Sequence, residues 1–405
     1  MSFVDFVILD TLLVLLPGAI TFVFFLNFRK IVRSQLPDEE LPFISVIVPV
    51  RNEEKKIRRC LQSLVEQDYP GLEIIVVDDR STDQSAEIIA QVAEQQSKIK
   101  VLACQETRAG WLGKCNALDF ASKHAKGSWF AFVDADTYHR PNSLRDAVSS
   151  ALANSVDIIS FMPVQELYSF WEQAIMPVLL GTFLLGDPLN KINDSSNPRA
   201  YAYGQYILIK RKTYEAIGGH ESVKDQILDD IALGRIAKSK GFRITAVDGR
   251  PLYAVRMYTS LQDLWRGWSK NLYALIDCNP LFLAGLLVLL NLVLLAPYLS
   301  FVFLIAIIAS GVPYPPTGLL AGLLLVQFAS IALWFWRTSL HYRGVQPWHI
   351  LIIPLGAVVL TALYLYSAFC FITGFKVTWK DRSYCLDTSM KIQSEVGAAD
   401  RTAKL

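Results

Sequence analysis

Residues 280–375 carry only two charged side chains, Arg337 and Arg343, in 96 positions. A stretch so poor in charge cannot coat a water-facing surface and is suited to lipid. Residues 1–27 repeat the pattern, with Asp5 and Asp10 as the sole charges. The remaining chain has the charge density of an ordinary soluble domain. The overall values, 52% hydrophobic, 19% charged and a mean hydropathy of +0.32, therefore blend two compositions. They predict a membrane protein with one soluble domain large enough for a real core. They exclude a secreted disulfide scaffold, a collagen-like or disordered chain and a simple cytosolic enzyme. A net charge of +2 without a long basic run gives no support for nucleic acid as a partner. The six cysteines contain no C-x-x-C pair and read as buried or lipid-facing thiols, with no zinc site or disulfide framework.

Residues 11–27 are uncharged and the apolar character reaches back to Phe6, enough for one spanning helix. Arg29, Lys30 and Arg33 follow, no basic segment precedes and no A-x-A site follows, so residues 1–27 read as an anchor. The positive-inside rule then places the next domain in the cytoplasm of a multi-pass cell-membrane protein. Three apolar segments follow near 280–309, 318–336 and 348–375. Four full spans would leave the 376–405 tail outside, yet Lys376, Lys380 and Arg382 argue for inside. Pro354 and Gly356 are candidates to break the last segment, so three or four spans remain open.

Between these regions, from 41 to 275, short apolar runs alternate with helical patterns. ISVIVPV (44–50), LEIIVVDD (72–79) and WFAFVDAD (129–136) read as strands covered on both faces. Helices are expected over 54–67 and 82–96, the second capped by Ser81 or Thr82. Alternating β and α predicts an α/β domain with a mostly parallel sheet and right-handed crossovers. In such sheets ligands sit at the carboxyl ends of the strands. All three strands end in polar residues: Arg51-Asn52-Glu53, Asp78-Asp79 and Asp134-Ala135-Asp136. Two carboxylates one residue apart suit Mg²⁺ or Mn²⁺, which completes its shell with water and substrate phosphates. The same residues also suit an acidic turn or a helix cap.

The order of VPVRNEE, VVDDRSTD, GWLGKCNAL, FVDAD, LDDIALG and LWRGW resembles a family-2 inverting glycosyltransferase with the nucleotide-diphospho-sugar (GT-A) fold. The flanking apolar segments point to its membrane-bound branch. AYGQYILIKRKTYEAIGGH and VTWKDRSY are most similar to bacterial carotenoid- and hopanoid-associated glycosyltransferases, with ceramide glucosyltransferase more distant. The resemblance implies that Pro49, Arg51 and Glu53 border the nucleoside, with Asp79 on the uracil edge and Asp78 supporting that turn. It implies Lys114 near the nucleotide, Asp134 and Asp136 at the metal, and Asp229-Asp230 in the place of a Glu-Asp pair whose second acid is the base. Gln262-Asp263-Leu264-Trp265-Arg266-Gly267-Trp268 departs by one residue from the family spacing. Arg266 is carried over as a diphosphate contact and Trp268 as an acceptor-side wall, with interfacial anchoring of the tryptophans as the alternative.

The reaction implied is transfer of one sugar from a nucleotide sugar, UDP-glucose-like, to a hydroxyl of a lipid such as a carotenoid or hopanoid, with inversion. Residues 169–190 form a short apolar segment interrupted by Pro177, expected as an interfacial helix that admits the lipid, or as a buried core helix. The polar stretch 191–206 is expected as an ordering lid. Competing readings are a processive polysaccharide synthase, a ceramide or glycerolipid glucosyltransferase, and a transporter or scaffold whose soluble domain only binds nucleotide. Against the transporter, residues 280–375 hold no acidic side chain. Oligomeric state is not legible.

Overall fold

The computed structural model describes residues 3–26, 31–33, 36–186, 192–194, 197, 200–311, 317–390 and 392–396. Arg29, Lys30 and part of the expected lid lie outside the described residues. Two compact units result, and they cross-cut chain order. A sheet unit contains 28–165, 189–257 and 370–405; a helical unit contains 1–27, 166–188 and 258–369.

The sheet unit contributes strands β1 (Ile44–Val50), β2 (Leu72–Asp78), β3 (Ile99–Ala103), β4 (Trp129–Val133) and β5 (Thr137–His139). It continues with β6 (Ile158–Met162), β7 (beginning at Val164), β8 (Tyr206–Lys210), β9 (Ile244–Asp248) and β10 (Tyr253–Val255). Seven of them form one sheet in the order β3-β2-β1-β4-β8-β6-β9. β1 pairs in parallel with both β2 and β4, whereas β8 runs antiparallel to β4 and β6. β10 pairs antiparallel with β5 and parallel with β7.

Alternation along β1 and β2 explains the two cores. Val46, Val48, Ile74 and Val76 face one side, against Ile57, Cys60, Leu61 and Leu64. Ile47, Ile75 and Val77 face the other, against Ala117, Leu118 and Ala121. Because each face is covered, the strands read as unbroken apolar runs. Ile57, Cys60, Leu61 and Leu64 recur at helical spacing on the helix Ile57–Val65, shorter than the 54–67 expected. The next helix spans Ser85–Glu94, and neither Ser81 nor Thr82 caps it. Asp83 accepts the Ser85 N–H instead, at 2.9 Å, while the Ser81 hydroxyl serves Asn52. β4 stops at Val133, which leaves Asp134 and Asp136 on a turn beyond the strand.

The helical unit begins with Phe3–Leu26, a helix of 24 residues. The helices Thr317–Ser339 and Pro347–Thr373 are long and apolar enough to cross a membrane. A third span is possible if Pro280–Leu294 and Ala296–Ser310, bent by 40°, act as one. The break therefore falls at Leu295 and not at Pro354 or Gly356, where the helix is continuous. Pro354 sits in the first turn of Ile353–Thr373, where its missing N–H breaks no helical bond. Gln327 donates to Asp10 and Thr11 at 3.2 and 2.9 Å, tying the first helix to Thr317–Ser339. The segment 169–190 yields the helix Phe170–Gly186, whose Ala174, Ile175, Met176, Val178 and Leu179 are buried. Its middle is thus packed inside this unit. Gly356 is required there, since an added Cβ would lie 1.9 Å from the Ala174 carbonyl oxygen.

Candidate active site

The carboxyl ends of β1, β2 and β4 lie side by side because these strands are adjacent and parallel. The cleft they open is lined by Pro49, Lys114, Asp134, Gly204, Asp229 and Asp230, among others. Lys114 lies in the first turn of the helix Gly113–Ser122, and its Nζ meets Asp134 Oδ1 at 2.8 Å. Burial works against that ammonium, but Asp134 and Asp229 outweigh it and hold Lys114 above the usual lysine range. Asp229 and Asp230 open the helix Asp229–Ser239. Asp230 accepts the Gly204 N–H at 2.9 Å through Oδ2 and its neighbour Ile231 N–H at 2.8 Å through Oδ1. Gly204 must be a glycine for this approach, since a Cβ there would lie 2.5 Å from Asp230 Oδ2. Burial, then the charge of Asp229, raises the Asp230 carboxyl to about 7, with Lys114 opposing. A group poised there can both hold and release a proton near neutral pH.

Asp136 is arranged differently. Its Oδ2 lies 3.8 Å from Lys56 Nζ, while its Oδ1 is buried without a hydrogen-bond partner. Burial raises this carboxyl to about 7 against the pull of Lys56.

The nucleoside residues predicted from sequence are also brought together, and the VTWKDRSY segment, to which the sequence assigned no site role, meets them. Strands Val377–Trp379 and Arg382–Leu386 form an antiparallel hairpin. From it Arg382 donates two hydrogen bonds to Asp79, at 2.6 and 2.9 Å, with both residues buried. Lys380 pairs with Glu53, and the Lys380 carbonyl accepts from Arg51 Nε at 3.0 Å. Arg51 also donates to the Asp79 carbonyl at 2.7 Å. Asn52 donates to Asp381 at 2.8 Å. Gly113 leaves the room, since a Cβ there would fall 1.5 Å from Arg382 Nη1. Arg382 engages each Asp79 oxygen once, so the carboxylate that the sequence places on a uracil edge is also half of an ion pair. Asp78 accepts weakly from the Ser81 N–H, at 3.3 Å, and so supports its turn.

Arg266 and Trp268 belong to the helical unit, on the helix Leu261–Ser269 capped by Ser260. Arg266 is exposed and Trp268 is buried, with its ring 6.2 Å from that of Tyr258. Sequence reasoning passed over Lys56, His220, Lys380 and Arg382. The signals for the last two were the charge of the VTWKDRSY stretch and its place in the resemblance.

A mostly parallel sheet with acidic residues at its central strand ends is the GT-A architecture, and residues 45–218 match the model of Glycosyl transferase family 2. That segment is therefore similar to a family-2 glycosyltransferase domain. Among particular proteins it is similar to the 4,4'-diaponeurosporenoate glycosyltransferase of Staphylococcus aureus strain N315, 31% identical over 249 residues. That match covers 59% of this chain and 64% of the relative, so the chain spans less than two thirds of the length of these curated relatives. Among solved structures it is similar to a mannosyltransferase from Pyrobaculum calidifontis in complex with GDP-Man and Mn²⁺. That likeness has a TM-score of 0.50 at 21% identity, over 89% of this chain and 99% of the other, and it concerns the fold.

Proposed function

We propose that this protein is a membrane-bound inverting glycosyltransferase that moves one sugar from a nucleotide sugar, UDP-glucose-like, to a hydroxyl of a lipid such as a carotenoid or hopanoid. The observation that carries the reading is the convergence of Lys114, Asp134, Asp229 and Asp230 on one cleft inside a family-2 domain. The lipid acceptor is supported by the name of the Staphylococcus aureus relative, and by two helices apolar enough to cross a bilayer. A multi-pass arrangement with the sheet unit in the cytoplasm is supported by the basic residues that follow the first helix.

Asp230 takes the acceptor hydroxyl proton as that oxygen bonds to the anomeric carbon and the bond to the diphosphate breaks. No protein nucleophile enters, so one displacement inverts the centre. Lys114 faces the phosphates. Asp79, joined to Arg382, borders the nucleoside as half of an ion pair.

Among the described residues no cluster of three or more His, Cys, Asp or Glu is placed to hold a metal. Mg²⁺ and Mn²⁺ do not require one, because one or two carboxylates plus donor phosphates and water suffice. The unpartnered, buried Oδ1 of Asp136 fits such an ion, with Asp134 as its companion. The Pyrobaculum calidifontis structure, with Mn²⁺ bound, agrees. The ion would stabilise negative charge on the departing diphosphate. Incubating the detergent-purified protein with several sugar nucleotides and a total lipid extract tests the reading. Mass analysis should reveal a lipid heavier by one sugar, and absence of any glycosylated product with every donor removes it.

A further inference from the structure

Behind the carboxylates of the cleft lies a histidine held by a built relay. The helix Arg211–Ile217 ends in two glycines, Gly218 and Gly219, at φ +89° and +54°. This left-handed pair turns the chain back over Tyr214. A Cβ on Gly219 would lie 2.8 Å from the tyrosine ring, so only glycine permits the approach. His220 then places its backbone N–H 3.0 Å from the Tyr214 hydroxyl and its ring Nδ1 2.8 Å from the same oxygen. Phe132, two residues before Asp134, packs edge-on against the imidazole at 4.8 Å. Both His220 and Tyr214 are 4% exposed.

The network assigns the ring proton. The Tyr214 oxygen already accepts the His220 backbone N–H, and its own proton has two possible acceptors: Nδ1 at 2.8 Å and Ser122 Oγ at 3.4 Å. Assigned to the nearer one, it leaves the imidazole proton on Nε2. With its Nδ1 edge held by Tyr214, the ring forms part of the cleft wall, together with Lys114, Asp134, Asp229 and Asp230.

We infer that His220 is a sugar-recognising residue, its Nε2–H donating to a hydroxyl oxygen of the hexose carried by the nucleotide, with Tyr214 as the positioning residue. The inference rests on the glycosyltransferase reading above. A neutral donor suits a hydroxyl oxygen, whereas the diphosphate has Lys114. Burial holds the imidazole down at about 4, so it stays neutral at pH 7. The segment Gly219–Val223 packs against the helix that starts at Asp229 and carries Asp230.

Titration calorimetry of the full chain in detergent, with UDP-glucose and UDP and in parallel with GDP-mannose and GDP, tests this. His220→Leu should weaken the bound sugar nucleotide about threefold to tenfold, the worth of one hydrogen bond, and leave its sugar-free diphosphate unchanged. His220→Gln should restore most of the loss, because its amide N–H reaches close to the place of Nε2. Should the leucine variant not fold, Tyr214→Phe decides in its place, with the same selective loss expected. Equal weakening of both ligands, or no weakening, overturns the inference and leaves the glycosyltransferase reading standing. Failure of the unaltered protein to bind any of the four ligands overturns both.

Discussion

Asp230 serves two opposed demands. As the proposed base it must be ionised, yet burial and Asp229 raise its carboxyl to about 7. Turnover should therefore rise with pH through a midpoint near that value, read from initial rates in a buffer series. Asp230→Asn keeps the shape but cannot take a proton, so turnover should fall by roughly 10²- to 10⁴-fold while nucleotide binding survives. Stability should move the other way. A carboxyl whose folded pKa lies above its unfolded value of 3.8 contributes fully below pH 4, and that contribution is lost as pH rises to about 7. Above pH 7 the Asn variant should melt at a higher temperature than the unaltered protein, and near pH 4 the two should coincide. Metal dependence belongs to this scale as well. Activity should vanish with excess chelator and return with Mg²⁺ or Mn²⁺, and Asp136→Ala should not be restored by either ion. Asp134 and Asp136 stood out in the sequence as acids at the end of a strand pattern, and Asp230 through the resemblance alone. His220 did not, because its role depends on a hydroxyl six residues back and on a glycine turn, neither of which leaves a periodic trace.

At the scale of elements, β1 and β2 were readable to within a residue, since continuous β-branched runs covered on both faces look alike in sequence and structure. The hairpin over 377–386 was not. Its turn residues Lys380 and Asp381 adopt φ +47° and +62°, a conformation in which Asn-Gly or Asp-Gly would be expected. The strain of placing two side-chain-bearing residues there is balanced by their ties to Glu53 and Asn52. Arg382 is the larger anchor. Arg382→Ala would leave the buried Asp79 carboxylate with only the half-exposed Arg80 at 3.6 Å, a loss of up to about 3–5 kcal/mol. The apparent melting temperature should drop accordingly. Asp79→Asn combined with Arg382→Ala should cost less than the sum of the two single changes, which a double-mutant cycle reads directly.

For the whole molecule, composition set charge-poor segments apart from the rest, but it could not show that each unit draws on separate stretches of the chain. Each unit is assembled from stretches at the start, middle and end of the chain. The break at Leu295 was equally hidden, because a sharp bend between two apolar helices leaves the hydropathy unchanged. The proposed topology has a direct check. A cysteine introduced at Ser222 should resist membrane-impermeant thiol reagents applied to intact cells and react after permeabilisation. Ready labelling from outside would reverse the assignment.

The ion pair between Asp79 and Arg382 joins residues 303 positions apart in the chain. At about 5–20 residues per second, a ribosome reaches the arginine about 15 to 60 s after the aspartate. Every long apolar helix after residue 280 is synthesised in that interval. The central strands can pair early, but their carboxyl ends stay unsealed until the apolar helices have been made. Completion of the proposed donor site is thereby tied to synthesis of the apolar region. A nascent chain halted before residue 377 holds a formed sheet whose Asp79 still lacks its cation.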